Sequence, residues 1–353
     1  MRAELFTDSS AFAQLAAEWD DLLARAVVPS IFLSHRWQST WWHHFGNGHL
    51  LLIAVRDEAN RLVGLAPLFC SQESPECVSF IGCVDVSDYL DFIVDRSCAE
   101  AVYQTLWEFT CSSHMPRWEA LNLCNIPATS PTCQRLSALA QAAGFVSSVI
   151  QESVCPVITL PESWEAYLAS LDKKQRHEIR RKLRRAEESA KVRWYVLEQP
   201  DEVATHIETF IELHQKSTAE KRDFWDERMI AFFRAISRSF AEAGWLKLYF
   251  IEFNGERAAA FMCFDYRNEI LVYNSGYDPE RFAWLSPGIV LNAHIIEHAI
   301  QLGRRRLDFL RGDEEYKFRF GAVPEPVYRL RIERLSSWLR SEESLLAPRR
   351  EFG

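Results

Sequence analysis

The chain has 353 residues, of which 48% are hydrophobic and 25% charged. This composition excludes an intrinsically disordered protein and indicates a globular one, and the length exceeds that of one ordinary domain. The net charge of −9 argues against a protein that binds nucleic acid over its whole surface, and the aromatic content (Trp 12, Tyr 10, Phe 23) is sufficient for two cores.

The N-terminal stretch MRAELFTDSSAFAQL contains acids early and no continuous apolar block, so we expect no signal peptide. No apolar run approaches the ~20 residues of a membrane helix, and we expect no membrane span. The nine cysteines form no CxxC pair and are odd in number. We therefore expect reduced, mostly buried thiols in a cytoplasmic protein.

The first half of the chain alternates helical and strand patterns. Residues 10–25 and 35–45 show helical periodicity, with Ser34 as N-cap of the second helix. The stretch LLLIAVRDEANRLVGLAPLF predicts two strands joined by a polar turn. Further predicted elements are strands at CVSFIG and DYLDFIV, a helix over 97–113, a strand at RWEALNLCNI and a helix over 131–143.

The second half repeats this order of elements. Helices are predicted over 201–216 and 226–243, and the Asn-Gly pair in LKLYFIEFNGERAAAFMCFDY predicts a hairpin. SPGIVLNAHIIEHAIQLG predicts a helix with Ser286 as N-cap, Pro287 as its first residue and Gly303 after its end. The other predicted elements are strands at EILVYNSGYD, RRLDFL and VYRLRIERL and a short helix or turn at EEYKFRFG.

This repeat predicts an α/β (α+β) protein with two similarly folded lobes, each a mixed, mainly antiparallel sheet flanked by helices. We place the lobes at 1–160 and 191–353, with 161–190 as a basic helical connector or an element packed on the second lobe. Lys173 to Arg185 holds eight Lys or Arg residues against one Glu. This helix favours a local contact with an anion such as tRNA, a nucleotide-linked sugar or CoA, although a solvated charged helix is the alternative.

The order helix, hairpin, strand, helix, strand resembles that of a GNAT acyltransferase core. Four motifs carry a closer resemblance: W-x3-WW-x2-FG (Trp37–Gly46), SGYDPE (275–280), LSPG (285–288) and DFLRGDEEYKFRFG (308–321). Together they resemble the CelD-like group of the GNAT superfamily, labelled cellulose-biosynthesis acetyltransferases. These are tandem-GNAT chains related in fold to the Fem transferases, which build peptidoglycan bridges from aminoacyl-tRNA. The resemblance implies acyl transfer with acetyl-CoA or another acyl-CoA as co-substrate and no metal.

The LSPG motif is a candidate anion site. The first N–H groups of a helix lack intrahelical partners and lie at the positive end of its dipole, and a glycine allows a ligand to approach the backbone. The resemblance implies that Ser286, Gly288 and Ile289 bind the donor. Ordinary helix capping is the alternative. The GNAT signature Gln/Arg-x-x-Gly-x-Gly/Ala is absent, which keeps an aminoacyl-tRNA donor open.

The charged stretch after the strand RRLDFL is the candidate catalytic region, because ligands in α/β sheets favour the ends of strands. Acyl transfer to an amine needs a base, a donor for the carbonyl oxygen and an acid for the leaving group. The candidates are Asp308, Asp313 or Glu314 as base, Tyr316 as acid, and Lys317 and Arg311 as contacts to a phosphate or a substrate carboxylate, with Asp313 also a candidate for substrate binding.

The resemblance adds two roles to this region. A tyrosine at this place serves as general acid in GNAT enzymes, and Lys317 to Gly321 resembles the Fem pattern K-x-x-x-G, in which the lysine contacts the donor. We expect Lys317→Ala to abolish transfer and to leave thermal stability nearly unchanged. The structural alternative is that Asp308 and Arg311 satisfy each other.

Two further sequence patterns each have a functional and a structural interpretation. Asp88 and Asp91 in SDYLDF occupy the corresponding strand region of the first lobe and are candidates for orienting the acceptor, with a simple alternating strand as the alternative. HIIEH (His294–His298) matches a zinc pattern, but no downstream helix offers a further ligand.

The leading hypothesis is an N-acyltransferase acting on an amine or hydroxyl of a polar acceptor, such as an amino sugar or a cell-envelope polysaccharide precursor. A Fem-like ligase that uses aminoacyl-tRNA and a non-catalytic module that binds an anionic glycan or nucleotide are the alternatives.

Overall fold

A computed structural model describes residues 1–83 and 86–334 of the chain. These residues form two compact units: the first comprises Met1–Ser153 together with the stretch that begins at Pro326, and the second comprises Val154–Glu325. The chain thus returns to its first unit near the C-terminus. The predicted boundaries divide the chain into three consecutive segments, 1–160, 161–190 and 191–353. They do not assign the C-terminal stretch to the first unit, and they stay a prediction.

The elements of the chain follow in order. From the N-terminus they are β1 (Arg2–Phe6), α1 (Ser10–Arg25), α2 (His35–Phe45), β2 (Gly48–Arg56), β3 (Leu62–Ser71), β4 (Cys77–Phe80), β5 (Ile93–Val94), α3 (Ala99–Cys111), β6 (Ala120–Pro127), α4 (Thr132–Ala142) and β7 (Val146–Thr159). They continue as α5 (Trp164–Ser170), α6 (Lys173–Ser189), β8 (Val192–Leu197), α7 (Pro200–Ser217), α8 (Ala219–Asp223), α9 (Glu227–Glu242), β9 (Leu246–Phe253), β10 (Glu256–Tyr266), β11 (Glu269–Tyr277), α10 (Pro279–Phe282), α11 (Pro287–Gln301), β12 (Arg306–Asp308), α12 (Glu315–Arg319) and β13 (Val323–Glu333).

The strands of each unit form a mixed sheet in which antiparallel pairs predominate. In the first unit the strand order is β1-β2-β3-β4-β6-β13, with β5 paired to β3. In the second unit it is β7-β12-β11-β10-β9-β8. The parallel pairs are β4 with β6 and β11 with β12. Helices flank each sheet, so the predicted fold class is confirmed.

Both predicted hairpins are present, as β2–β3 and β9–β10. The second turns at Asn254 and Gly255, whose φ angles of +54° and +85° are those of a two-residue turn that suits Asn-Gly. Their strands are almost entirely buried because alternate side chains pack on helices of both faces; Leu248, Phe250 and Phe264 have no exposed surface.

Some elements differ from the sequence prediction. β1, β7, β8 and α8 were not predicted, and DYLDFIV contributes only the short strand β5 instead of a full strand. The basic segment is not one helix, since α5 ends at Ser170 and Asp172 caps the start of α6 by accepting a hydrogen bond from the N–H of Gln175 at 2.8 Å. Both α5 and α6 belong to the second unit.

The expectation of reduced cysteines is wrong for one pair, because Cys83 and Cys124 form a disulfide in the first unit. Two thiols far apart in sequence gave no spacing signal for it. Of the other cysteines, Cys70, Cys155 and Cys263 are buried. Within the described residues, no helix has both the length and the apolarity that crossing a membrane requires.

Candidate functional site

The second unit contains a point at which two parallel strands separate. β11 and β12 pair only from Glu269 to Leu271 and from Arg306 to Asp308. β11 then continues to Tyr277, whereas the chain turns away after Asp308. The edge of β11 beyond Leu271 is therefore left without β12 as a neighbour.

A β-bulge lies at the same point. Asn274 faces Met262 and Val272 faces Cys263, so Tyr273 is an extra residue on β11. Such bulges re-aim side chains and are common next to active sites. The ring of Tyr273 packs against Phe233 and Phe264. Asn274 follows it on the part of β11 that has separated from β12.

A cavity of about 600 Å³ lies where the strands separate, and we call it the α11 cavity. It is bounded by α8, β11, the start of α11 and the segment that follows β12. Its lining comprises Thr218, Glu220, Lys221, Phe261, Val272, Tyr273, Asn274, Ser275, Tyr277, Ala283, Ser286, Pro287, Gly288, Ile289, Phe309, Arg311, Glu314, Tyr316 and Lys317. The cavity thus brings together seven of the predicted site residues from two separate motifs.

The start of α11 differs from the predicted capped end. Ser286 precedes the helix with a left-handed backbone (φ +54°), and its hydroxyl makes no capping bond. The N–H groups of Ile289 and Val290 both bond to the carbonyl of Ser286, at 3.0 and 3.1 Å. Because Pro287 has no N–H, Gly288 carries the one N–H of this turn that remains available to a ligand.

The surroundings of Gly288 suit an approaching ligand. A Cβ at this position would meet no atom within 4 Å, so the space beside the backbone is open. The hydroxyl of Ser286 accepts a hydrogen bond from Nη2 of Arg185 in α6 at 3.1 Å. The Nε of Arg185 is buried and has no partner among residues 1–83 and 86–334. A guanidinium and a free N–H therefore lie at the positive end of α11.

The turn after β12 is held by two buried charged side chains. Asp308 is 2% exposed, and its Oδ1 accepts a hydrogen bond at 2.7 Å from the N–H of Leu310, which has a φ of +55°. Lys317 is 3% exposed, and its Nζ lies 3.1 Å from the carbonyl of Arg311 and 2.8 Å from Oε2 of Glu314.

The Nζ of Lys317 also lies 3.4 Å from the carbonyl of Leu310 and 3.2 Å from that of Gly312. An ammonium has three protons, so these partners occupy it fully. Its loss would leave buried carbonyls unpaired and would lower the stability. These contacts argue against the expectation that Lys317→Ala leaves the stability nearly unchanged.

Tyr316 lines the α11 cavity from α12. Its ring packs edge-on against Phe309, with ring centroids 6.1 Å apart. Burial is the main cause that raises the pKa of Tyr316, and the neighbouring Glu314 adds to it. The phenol is therefore protonated at neutral pH and is able to donate a proton or a hydrogen bond.

The other predicted residues of this segment take different positions. Arg311 is half-buried and lines the cavity, and Glu314 is exposed at its edge. Asp313 is exposed and is not among the lining residues, and neither is the buried Asp308. Of the three candidate bases, Glu314 alone contributes to the cavity lining.

Lys221 and Asn274 line the cavity but were not identified from the sequence. The Nζ of Lys221 donates a hydrogen bond to the carbonyl of Ser275. Burial lowers the pKa of Lys221, and the charge of Glu314 acts in the opposite direction. The SGYDPE motif starts one residue after Asn274 and was the available signal; α8, which carries Lys221, gave none.

Asp88 and Asp91 belong to the first unit, outside the α11 cavity. Asp91 is 1% exposed, and its Oδ1 accepts hydrogen bonds from Thr132 Oγ1 at 2.5 Å and from the N–H of Phe92 at 2.8 Å. Burial raises the pKa of Asp91 to about 6. This position favours the structural alternative for Asp91, and Asp88 lies half-buried in a bend instead of a strand.

A second cavity, of about 680 Å³, lies along the basic helix, and we call it the α6 cavity. Its lining comprises Asp172, Lys174, Gln175, His177, Glu178, Ile179, Arg181, Lys182, Ile289, Glu315, Arg319 and Phe320. Carboxylates pair with several of its cations: Glu178 lies 2.7 Å from Arg181 and Glu315 lies 2.7 Å from Arg319. The helix is therefore less free to bind anions than its count of basic residues indicates.

The histidines of HIIEH have partners other than a metal. The ring of His294 stacks on Trp194 with centroids 5.6 Å apart, and Nδ1 of His298 lies 2.9 Å from the hydroxyl of Tyr249. In the described part of the chain, no three His, Cys, Asp or Glu side chains cluster as metal ligands would.

Comparison with known families gives one match for this part of the chain. Residues 173–318 match the family model described as an acetyltransferase (GNAT) domain. The second unit is similar to GNAT domains. The match contains the start of α11 and Tyr316, but it does not test the narrower resemblance to the CelD-like group, which stays a prediction.

Solved structures show the same fold over nearly the whole chain. The crystal structure of FemX is similar with a TM-score of 0.65 and 13% identity, covering 97% of this chain and 99% of that one. A conserved protein of unknown function from Bacteroides thetaiotaomicron has a TM-score of 0.59 and 13% identity, covering 90% of this chain and 97% of that one. The structure of L-PGS from Bacillus licheniformis has a TM-score of 0.56 and 11% identity, covering 94% of this chain and 97% of that one. At these identities the likeness concerns the fold alone, and the search of curated proteins gives no match.

Proposed function

We propose that this protein is an acyltransferase that uses the α11 cavity of its second unit. It moves an acyl group, acetyl from acetyl-CoA, to an amine or hydroxyl of a polar acceptor such as an amino sugar or a cell-envelope polysaccharide precursor. The observation that carries this proposal is the shared cavity of Gly288 and Tyr316. It joins a place for an anionic donor to a side chain that can protonate a leaving group.

The residues at the start of α11 fit the phosphates of an acyl-CoA. Gly288 offers a free N–H beside open space, and Arg185 contributes a cation from α6. The absent Gln/Arg of the GNAT signature therefore need not exclude CoA, because a cation reaches this turn from another helix. The uncovered edge of β11 extends from this turn along the cavity and suits the amide groups of an extended donor arm.

The chemical step follows from the groups around the cavity. The nitrogen of the acceptor attacks the thioester carbon, so that a C–N bond forms and the C–S bond breaks. Glu314 takes the proton that the amine loses, and Tyr316 gives a proton to the departing sulfur. The products are an amide and the free CoA thiol, and the pair of residues is reset by one proton passing from Glu314 to Tyr316 through solvent.

Aminoacyl-tRNA is a second candidate donor. The likeness to FemX over nearly the full length and the basic α6 cavity, which shares Ile289 with the α11 cavity, favour it. The full occupation of Lys317 by backbone carbonyls and Glu314 disfavours it, because the Fem-like assignment requires this lysine to contact the donor.

Release of free thiol from acetyl-CoA with a panel of amino sugars and other amines tests the proposal. We expect acceptor-dependent release that survives treatment with ribonuclease. Activity that requires aminoacyl-tRNA would show that the donor is aminoacyl-tRNA and not acetyl-CoA. If a ligand binds but no thiol is released under any condition, the remaining interpretation is a non-catalytic binding module. A cytoplasmic location, where acyl-CoA is available, remains part of the proposal.

A further inference from the structure

We infer that Asn274 donates a hydrogen bond into the α11 cavity, and that the buried pair His214 and Trp225 fixes the direction of its side-chain amide. The identity of the acceptor rests on the proposed function: it is the carbonyl oxygen of the acyl donor. Asn274 is then a contact to the reacting group, whereas His214 and Trp225 are positioning residues.

The direction of the amide follows from a chain of two hydrogen bonds. Nε1 of Trp225 donates to Nδ1 of His214 at 2.9 Å. An indole N–H can only donate, so Nδ1 carries no proton and the neutral ring carries it on Nε2. Nε2 lies 3.1 Å from Oδ1 of Asn274 and therefore donates to it. The oxygen of the amide thus faces His214, and Nδ2 is directed to the other side.

This chain of hydrogen bonds from Trp225 through His214 to Asn274, which we call the relay, requires that His214 stays neutral. This side chain is 2% exposed, and burial followed by the nearby charge of Lys221 lowers its pKa to about 3. Protonation would also place a hydrogen on Nδ1 and break the bond from Trp225. The ring is consequently neutral at neutral pH, and the bond from Trp225 selects the tautomer with the proton on Nε2.

The backbone holds the relay close to the cavity. A Cβ at Gly276 would lie 2.3 Å from the backbone N of His214, so the glycine permits α7 to contact β11 directly. Ser217 adds a second contact, since its hydroxyl accepts from the N–H of Tyr277 at 2.8 Å. His214 therefore has little freedom to follow a rotated amide, and the donor is oriented before any ligand binds.

Asn274 offers the cavity a neutral donor whose direction is fixed by His214. It lines the cavity, and no described residue accepts a hydrogen bond from its Nδ2. The ammonium of Lys317 is occupied by the turn after β12, and that of Lys221 is bonded to the carbonyl of Ser275. A thioester oxygen gains negative charge when an amine attacks the carbon, and a fixed N–H stabilises that charge more than it stabilises the ground state.

The test compares acetyl-CoA with CoA, which has the same phosphates but no acyl carbonyl. Isothermal titration measures both dissociation constants for the wild type, Asn274→Leu and Asn274→Asp. We expect each variant to lose about three- to tenfold in affinity for acetyl-CoA relative to CoA, the value of one hydrogen bond. Asn268→Asp, an exposed change of the same kind in this unit, is the matched control and keeps the wild-type ratio.

Trp225→Phe tests the positioning residues. It keeps a ring but removes the N–H that fixes His214, so we expect a mixture of tautomers in the nitrogen-detected NMR spectrum of the histidine ring. The preference for acetyl-CoA falls with it, while CoA binds as before. A purely structural Trp225 would lower the melting temperature and leave the ratio unchanged.

The outcomes separate this inference from the proposed function. An unchanged ratio in both Asn274 variants, with CoA still bound, overturns the role of Asn274 alone. A wild type that binds neither compound overturns the proposed function and with it the acyl oxygen as acceptor. The NMR spectrum of the wild type decides the orientation in every case, because a proton on Nδ1 of His214 contradicts it.

Discussion

The two units share the order of their main strands and helices but differ where their parallel strands separate. In the first unit, β4 and β6 pair from Cys77 to Ser79 and from Ala120 to Asn122, as β11 and β12 do in the second. Beyond this pairing the first unit is closed by the disulfide between Cys83 and Cys124. The second unit opens at the same place into the α11 cavity.

Polar side chains reinforce the closure of the first unit. The amide of Asn125 donates to the carbonyl of Ser87 at 2.7 Å, and Trp37 donates to the hydroxyl of Ser87 at 2.9 Å. Asp91 is buried and bonded to Thr132. The topology thus separates the strands in both units, and the residues at the separation determine whether it becomes part of a core or a binding site.

Filling the open separation is expected to have the largest effect. Gly288→Leu places a side chain in the space beside the start of α11, where a Cβ meets no atom within 4 Å. We expect binding of acetyl-CoA to be lost, while the melting temperature stays unchanged or rises slightly because leucine favours a helix more than glycine. Titration and a thermal melt measure both effects.

Gly288→Ala is the graded control for this substitution. Its methyl group is small enough to leave most of the space open, so we expect binding to weaken only moderately. Full binding by Gly288→Leu would show that the donor does not approach this turn.

Removal of the proposed acid is the next largest effect. Tyr316→Phe keeps the ring against Phe309 but removes the hydroxyl. We expect kcat to fall by about 10² to 10⁴, with the dissociation constant of acetyl-CoA unchanged. Steady-state kinetics and titration provide the two values. Tyr328→Phe in the first unit is the control, and an equal loss there or no loss in Tyr316→Phe argues against the acid.

Opening the first unit is expected to affect stability instead of binding. Cys83→Ala with Cys124→Ala removes a cross-link that spans 41 residues. The free energy of unfolding of the first unit then falls by about 4 kcal/mol, since the unfolded chain regains the entropy of an open loop. Urea denaturation followed by hydrogen exchange measures this loss. An accompanying loss of acetyl-CoA binding would contradict the assignment of the donor site to the second unit.

The smallest effect is the change in stability per unit of pH, and it has opposite signs in the two units. In the second unit, the pKa of His214 is lowered to about 3, so the unfolded chain binds a proton below pH 6.5 that the folded unit does not. Its stability falls by about 1.4 kcal/mol per unit as the pH drops from 6.5 toward 3.

In the first unit, the pKa of Asp91 is raised to about 6, so the folded unit holds a proton that the unfolded chain releases above pH 3.8. The proton on Asp91 contributes stability that is fully present below pH 3.8 and is lost as the pH rises through 6. Hydrogen exchange of peptides from each unit at pH 4, 5, 6 and 7 measures both trends. Asp91→Asn should remove the trend of the first unit, and parallel trends in the two units would refute this account.

The sequence predicted the hairpins and the capped helices because local rules determine them. Asn254 and Gly255 form the expected turn, and Ser34 caps α2 by accepting from the N–H of Trp37 at 3.3 Å. β7 was missed because VSSVIQESVCPVIT alternates only partly between polar and apolar residues. The disulfide was missed because its cysteines are brought together by the pairing of β4 with β6, which no local pattern specifies.

The candidate site was predicted only in part, for the same reason. Gly288 and Tyr316 lie in motifs whose composition is unusual, and they could be named from the sequence. Arg185, His214 and Asn274 act through contacts between residues that are 60 or more positions apart in the chain. Such contacts depend on how α6 and α7 pack on the sheet of the second unit.

A crystal structure of the protein with acetyl-CoA would show directly whether the donor binds in the α11 cavity. The account predicts a phosphate at the N–H of Gly288 and within reach of Arg185, with the thioester between Asn274 and Tyr316. Acetyl-CoA bound at the closed separation of the first unit, or at a site that avoids the start of α11, would contradict it.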